Sequence, residues 1–130
     1  LAMSTLKVGI ADPEEMKART LRIARGEEKP KPGEPTVWFI STTSFAKFMS
    51  ASNCEMLRII YEQQPASLEE LAQMTGRAKS NLSRTLKAMV GYGLVRMEKG
   101  RGLRLVPKLV HDRVELVLPL VEPRRKGTRK

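Results

Sequence analysis

The sequence has very few of the residues that build redox and metal sites. It contains one cysteine, Cys54, and one histidine, His111, among its 130 residues. A single cysteine excludes an internal disulfide, and the pair is too small for the Cys and His sets that bind zinc. His111 has no nearby nucleophile, and the sequence has no phosphate-cradling loop, so an enzyme is the least favoured interpretation. No metal or cofactor is expected.

Long apolar segments and aromatic side chains are also scarce. No apolar run approaches the roughly 20 residues that cross a bilayer, and residues 1–30 lack the apolar region of a signal peptide. The sequence therefore predicts a cytoplasmic protein with no membrane partner. Aromatic residues form only 5% of the chain, so few side chains could stack unpaired bases, and non-specific RNA or single-strand binding is disfavoured.

Acidic residues are rare in the second half of the chain. Residues 77–130 hold 15 Lys and Arg against 4 Asp and Glu, whereas residues 1–76 hold 9 against 10. The formal net charge of +10 therefore comes from residues 77–130. Such polarity is expected of a surface that meets phosphates, although an acidic protein or a lipid surface would also attract it.

The first 36 residues predict a strand, a helix and a linker. Alternation at residues 5–10 indicates a strand, and a helix follows with Asp12 as N-cap, Pro13 in the first turn and Gly26 as its end. The stretch "EKPKPGEPT" is a Pro/Gly linker, and "TVWFIS" after it predicts a short strand. We expect residues 1–36 to form an extension of the domain that follows.

Two helices are predicted next. In "SNCEMLRIIYEQQ" one apolar face is expected to pack in the core, formed by Met56, Leu57, Ile60 and Tyr61. In "SLEELAQMTG" Ser67 is the predicted N-cap, Glu70 its capping-box partner and Gly76 the residue of a tight turn.

The next stretch, "GRAKSNLSRTLK", carries four cations and no acid. At about 100° per residue it predicts a helix whose buried face is Leu82, Leu86, Met89 and Val90. Ser80, Arg84 and Lys87 point the other way, flanked by Asn81 and Ser83. Ordinary solvated faces mix acids with bases, so an acid-free face favours an external anion.

The sequence "LVRMEKGRGLRLVPK" predicts a hairpin. Leu94, Val95 and Met97, then Leu103, Leu105 and Val106, form two strand-like stretches around a glycine-bearing tip. Three cations lie at or near this tip, which favours contact with a nucleic-acid backbone over a solvated loop. A further alternating strand is predicted at 113–118, with Val114, Leu116 and Leu118 on one side, and residues 123–130 form a basic tail.

The stretch "LEELAQMTGRAKSNLSRTLKAMVGYGLVRMEKGRGLRLVP" resembles the winged helix-turn-helix of MarR-like prokaryotic transcriptional regulators. In this resemblance "LEELAQMTG" is the support helix, "AKSNLSRTLKAM" the recognition helix and "GRG" the wing tip, over about residues 45–107. It implies a mainly helical α+β fold. The winged helix-turn-helix would occupy residues 37–122, together with the C-terminal strand.

The flanks differ from the MarR pattern, because they carry strands in place of long helices. They are similar to a smaller group of bacterial and archaeal DNA-binding regulators, some of which resemble proteins encoded beside toxin-like genes. The resemblance therefore implies a sequence-specific duplex DNA-binding regulator. An antitoxin-type protein that neutralises a partner protein and autoregulates its operon is the alternative.

If the protein binds DNA, each of these polar residues has an expected contact. The helix at about 78–90 would enter the major groove, and the wing at about 98–104 would lie on the backbone. Arg84 suits guanine and Asn81 adenine, while Ser80 and Ser83 serve bases or phosphates. The remaining cations suit phosphates; they are Arg77, Lys79, Lys87, Lys99, Arg101 and Arg104.

A regulator of this size is expected to be a homodimer, because one recognition helix contacts too few base pairs to find its site in a genome. The strands at 5–10 and 113–118 are both expected at a sheet edge. Unpaired edges need covering, so these strands are the candidates for the interface.

Overall fold

The computed structural model describes residues 4–102 and 104–121 of the chain. Within these ranges the fold is α+β, with five helices and five strands. In order they are β1 (Ser4–Ile10), α1 (Pro13–Ala24), β2 (Val37–Phe39), α2 (Thr42–Phe48), α3 (Ala51–Gln63), α4 (Leu68–Thr75), α5 (Lys79–Gly91), β3 (Val95–Lys99), β4 (Leu105–Leu109) and β5 (His111–Val117). No helix in the described ranges has the length and apolarity to cross a membrane. The predicted tail at 123–130 and Leu103 of the predicted hairpin lie outside the described residues.

Strands from both ends of the chain form one parallel sheet in the order β2-β1-β5. Val8 of β1 lies opposite both Val37 and Leu116 and is fully buried. The prediction that the strand at 5–10 lies at an edge is therefore wrong. The β1-α1-β2 crossover places one parallel strand on one side of β1, and the C-terminal strand pairs on the other side.

Helix α1 begins and ends where the sequence predicts. The carboxylate of Asp12 accepts hydrogen bonds from the backbone N–H groups of Glu14 and Glu15, at 3.1 and 3.2 Å. The linker after α1 is tied back to it, because Arg19 forms ion pairs with Glu28 at 2.9 Å and with Glu34 at 2.6 Å. The linker thus packs against the helix that precedes it.

The buried face of α3 differs by one residue from the predicted one. Met56, Leu57 and Ile60 are buried as expected, and Ile59 is buried with them. The expectation that Tyr61 lies in the core is wrong, since half of Tyr61 is exposed. Tyr61 stands at the margin of the apolar stripe, on the side that faces a surface cavity.

Helix α4 has the predicted cap and turn. The Ser67 hydroxyl accepts from the backbone N–H of Glu70 at 3.1 Å. The Glu70 carboxylate accepts from the N–H of Ala66 at 2.8 Å, one residue before the cap that the capping box predicts. Gly76 ends the helix with a φ of 74°, a left-handed conformation that glycine adopts without steric cost.

Helix α5 buries Leu82, Leu86 and Met89, as predicted. The expectation that Val90 also belongs to the core is wrong, because 41% of it is exposed. Around the helix axis, Val90 lies about 75° from the centre of the buried face, so it stands at the edge of the surface that packs against the core.

The hairpin strands and the last strand differ in their bounds from the predicted stretches. β3 and β4 are antiparallel, with Val95 opposite Leu109 and Lys99 opposite Leu105. Leu105, which belongs to the second predicted strand-like stretch, is 48% exposed. β5 ends at Val117, so the prediction of Leu118 on its inner side is wrong; Pro119 has no N–H with which to extend the pairing.

Candidate nucleic-acid interface

The outward face of α5 is polar and exposed. Its members are Ser80, Asn81, Ser83, Arg84 and Lys87. They stand opposite the buried leucines because the 3.6-residue period separates the two faces. Among the described residues, no hydrogen bond or ion pair engages the side chain of Arg84 or Lys87. Both cations are therefore available to an outside anion.

The start of α5 has an acidic neighbour that the sequence pattern did not reveal. The Lys79 ammonium lies 2.5 Å from a carboxylate oxygen of Glu69, which belongs to α4. This hydrogen bond lowers the pKa of Glu69 below its ordinary value, and the charge of Arg104 adds to the effect. Both side chains are more than half exposed, so the pair contributes little to stability.

Arg77 is engaged within the protein, contrary to the simplest expectation for a phosphate contact. Its guanidinium donates to Asn81 at 2.9 Å, Asn53 at 3.0 Å and Thr85 at 3.1 Å. Asn53 belongs to α3, while Asn81 and Thr85 belong to α5. Arg77 therefore links two helices across the turn after α4.

The hairpin cations surround a hollow. A cavity of about 410 Å³ lies between the hairpin and residues 64–66, and its charged lining consists of Lys99, Arg101, Arg104, Lys108 and the acidic Glu98. Lys108 was not among the predicted site residues. Lys108 lies opposite Arg96 across the hairpin, so it could be found only once the register of the hairpin was known. Arg96 itself lies 2.6 Å from Glu98.

A second hollow joins the hairpin to the helices. Its volume is about 360 Å³, and its lining includes Ser67, Glu69, Lys79 and Arg104. The N-terminal ends of α4 and α5 therefore lie close to the start of β4. Arg84 and Lys87 line neither hollow, so they form a separate part of the surface, farther along α5.

Cys54 and His111 lie away from these basic groups, beside a different cavity. The His111 ring nitrogen Nδ1 is 2.7 Å from the Ser4 hydroxyl, a contact that joins β5 to β1. Within the described ranges no three His, Cys, Asp or Glu residues are grouped so as to hold a metal ion.

The segment that holds these basic groups also decides the family. A family model designated HVO_A0114 matches residues 48–116. The chain belongs to the HVO_A0114 family. The match spans more than half of the 130 residues and includes all ten predicted contact residues, whereas β1, α1, β2 and nearly all of α2 precede it. The designation names no activity, and no curated protein matches the chain.

Proposed function

We propose that this member of the HVO_A0114 family is a sequence-specific duplex DNA-binding regulator of transcription that acts in the cytoplasm. Helix α5 is its recognition helix in the major groove, and the β3–β4 hairpin is a wing on the DNA backbone. The observation that carries the proposal is the pair Arg84 and Lys87, exposed on α5 with no partner among the described residues.

The order of elements supports a winged helix-turn-helix similar to that of MarR-like regulators. α4 is short and capped by Ser67, Gly76 makes the turn, and α5 follows after two residues. The core side chains of α3, α4 and α5 pack together, which leaves the polar face of α5 outward. A basic hairpin follows directly, as the wing of such a domain does.

The hydrogen bonds of α5 refine the roles of its residues. Arg84 is free to present its two-pronged guanidinium to O6 and N7 of guanine. The Oδ1 atom of Asn81 already accepts from Arg77, so Asn81 offers a base its amide N–H₂ and the second lone pair of Oδ1. Ser80 and Ser83 contact bases or phosphates, while Lys79, Lys87 and the hairpin cations contact phosphates.

The test is DNA binding by Arg84→Ala on a duplex selected from random sequences. The variant is expected to lose roughly 1–3 kcal/mol on the selected site and to accept other bases at one position. Lys17→Ala, an exposed cation on α1, is the control of equal charge. Equal loss on every sequence would make Arg84 a phosphate contact, and unchanged affinity would remove α5 from the groove.

We propose further that the regulator binds as a homodimer. One α5 contacts only a few base pairs, and two half-sites separated by about one helical turn supply the length that a genomic site needs. A palindromic selected site is the expected signature. A single asymmetric half-site that binds as tightly would contradict the dimer.

The second candidate is an antitoxin-type protein that neutralises a toxin-like partner and autoregulates its operon. The hairpin hollow favours it, since four cations against one carboxylate, that of Glu98, line about 410 Å³ and would accept acidic side chains of a partner protein. Charge reversal at Lys108 separates the two functions. It should abolish partner capture under this candidate, whereas a wing contact would change mainly the salt dependence of DNA binding.

A further inference from the structure

One edge of β5 lies open. β1 pairs with β5 on one side, and the sheet order β2-β1-β5 leaves the other side of β5 without a strand within residues 4–102 and 104–121. The backbone N–H and C=O groups on alternate residues of this seven-residue strand point away from β1 and form a template for another strand. Natural sheets cover or guard such an edge.

The charges on this edge are self-complementary. Arg113 and Glu115 flank Val114 and form a long ion pair of 3.8 Å with each other, and their side chains are 66% and 46% exposed, so both remain accessible to a second copy. In an antiparallel pair of β5 strands centred on Val114, Arg113 of each copy stands opposite Glu115 of the other. Opposite charges on facing residues stabilise a strand pair, and like charges weaken it. Edge charges usually block pairing, but this spacing permits pairing with a second copy.

The same register directs the chain beyond β5. Val117 of one copy stands opposite His111 of the other, so residues 118–121 pass the beginning of the neighbouring β5. Pro119 cannot continue the backbone ladder. Leu120 and Val121 are 92% and 80% exposed in the single chain, an unusual exposure for apolar residues that follow one another directly.

A cavity opens at that end of β5, between α3 and β5, and is called the α3–β5 cavity below. Its volume is about 510 Å³, within the roughly 300–1,000 Å³ of typical binding pockets. Leu57, Leu94, Leu109 and Val114 give it apolar walls, and the half-exposed Tyr61 lies at its margin. Arg58, His111, Asp112 and Arg113 also line the cavity. It lies beside the start of β5, which residues 118–121 of a second copy would pass, and its apolar walls suit their side chains.

We propose that two copies of the chain associate through antiparallel β5 strands centred on Val114, and that residues 118–121 of each copy fill the α3–β5 cavity of the other. The contact is reciprocal, as two-fold symmetry requires. It joins two three-stranded sheets into one of six strands. This inference rests on the proposed homodimer, and it does not depend on DNA binding.

The test reverses one charge at a time in the full chain. Arg113→Glu places Glu opposite Glu twice in the dimer, and Glu115→Arg places Arg opposite Arg twice. Each variant alone should dissociate with a Kd raised by about tenfold or more, as measured by sedimentation. An equimolar mixture restores both opposite-charge pairs and should form a heterodimer. Lys17→Glu and Glu27→Arg, exposed charges outside β5, are the matched controls.

Two results would overturn the β5 interface. The first is that each single variant dimerises as tightly as the unmodified chain. The second is that the equimolar mixture is as monomeric as each variant alone. Because neither measurement uses DNA, a failure here is distinguishable from a failure of the proposed function, which the Arg84→Ala experiment addresses.

A second pair of variants tests the occupant of the cavity. Leu120→Ser removes a side chain that a single chain exposes, so it should leave the folding stability of the monomer unchanged and raise the dimer Kd about tenfold or more. It should also accelerate thiol labelling of Cys54, which lines the cavity. Ile40→Ser, at a residue 66% exposed elsewhere, should do neither. An unchanged Kd for Leu120→Ser would show that residues 118–121 do not fill the cavity.

Discussion

Replacing Arg77 distinguishes a residue that holds the fold together from one that binds phosphate. The sequence pattern assigns Arg77 to phosphate, but its guanidinium donates to Asn81, Asn53 and Thr85 on two helices. We therefore expect Arg77→Ala to destabilise the protein even without DNA. α3 and α5 would lose the side chain that connects them across the turn.

The magnitude follows from the number of bonds and their exposure. Three bonds of 2.9 to 3.1 Å join a charged donor to neutral acceptors, and a hydrogen bond to a charged group contributes about 1.5–3 kcal/mol when water is excluded. Arg77 is only half-buried, so water replaces part of each bond. We expect the free energy of unfolding to fall by about 2 kcal/mol, which is closer to the value of one such hydrogen bond than to that of three. This loss lowers the urea midpoint by about 1 M.

Urea unfolding of Arg77→Ala and Arg77→Lys makes the measurement. Lysine keeps the charge but not the planar fork, so it cannot reach three acceptors at once. A link between helices predicts that both variants lose stability, whereas a phosphate contact predicts that Arg77→Lys resembles the unmodified chain in stability and in DNA affinity. An unchanged midpoint for Arg77→Ala would refute the structural role.

Two further predictions concern stability alone. At Gly9 an added Cβ would overlap Cζ3 of the Trp38 ring, so Gly9→Ala should lower the free energy of unfolding by about 1–3 kcal/mol, as measured in denaturant. Gly91→Ala is its control, since open space surrounds that helical residue and the change should be neutral or stabilising. For pH, the hydrogen bond from Arg22, and then that from Arg19, lower the pKa of Glu28 below its ordinary value. Its contribution to stability is therefore present above the unfolded-state pKa and is lost as the pH falls through the lower folded pKa. The advantage of the unmodified chain over Glu28→Gln should accordingly shrink in acid unfolding below about pH 4.5, and a constant advantage would contradict the assignment.

Helices α1 and α4 were predictable because their signals are local. Asp12 and Pro13 begin α1, Ser67 and Gly76 bound α4, and each acts through backbone groups within a few residues. The same holds for the hairpin, whose turn lies within five residues of its strands. Such elements follow from short stretches of sequence.

The sheet was not predictable in this way, since β1 and β5 pair over more than one hundred residues of separation. Alternation reveals that a strand has a buried face, but not which strand lies beside it. Tyr61 and Val90 illustrate the same limit for helices. Each lies at the margin of an apolar stripe, where neighbouring elements decide whether it is covered.

The candidate interface was predictable in its composition and less so in its contacts. An acid-free stretch of helix predicted that Arg84 and Lys87 would be exposed, and they are. The acid beside Lys79 comes from another helix, and the acceptors of Arg77 include one from α3. These contacts depend on tertiary packing, which the spacing of residues within one helix does not record.

An aromatic cluster connects the parallel sheet to helix α5. Phe39 of β2 stacks on Tyr92 with ring centroids 5.0 Å apart, and Tyr92 is the C-cap residue of α5. Phe48 of α2 meets Tyr92 at 4.6 Å. β2 pairs with β1, and β1 pairs with β5, so a continuous series of packed elements runs from the free edge of β5 to the end of α5. If two copies join at that edge, the distance between their two α5 helices is set by this packed series and not by a flexible linker. A dimer that contacts two half-sites at a fixed spacing requires that rigidity.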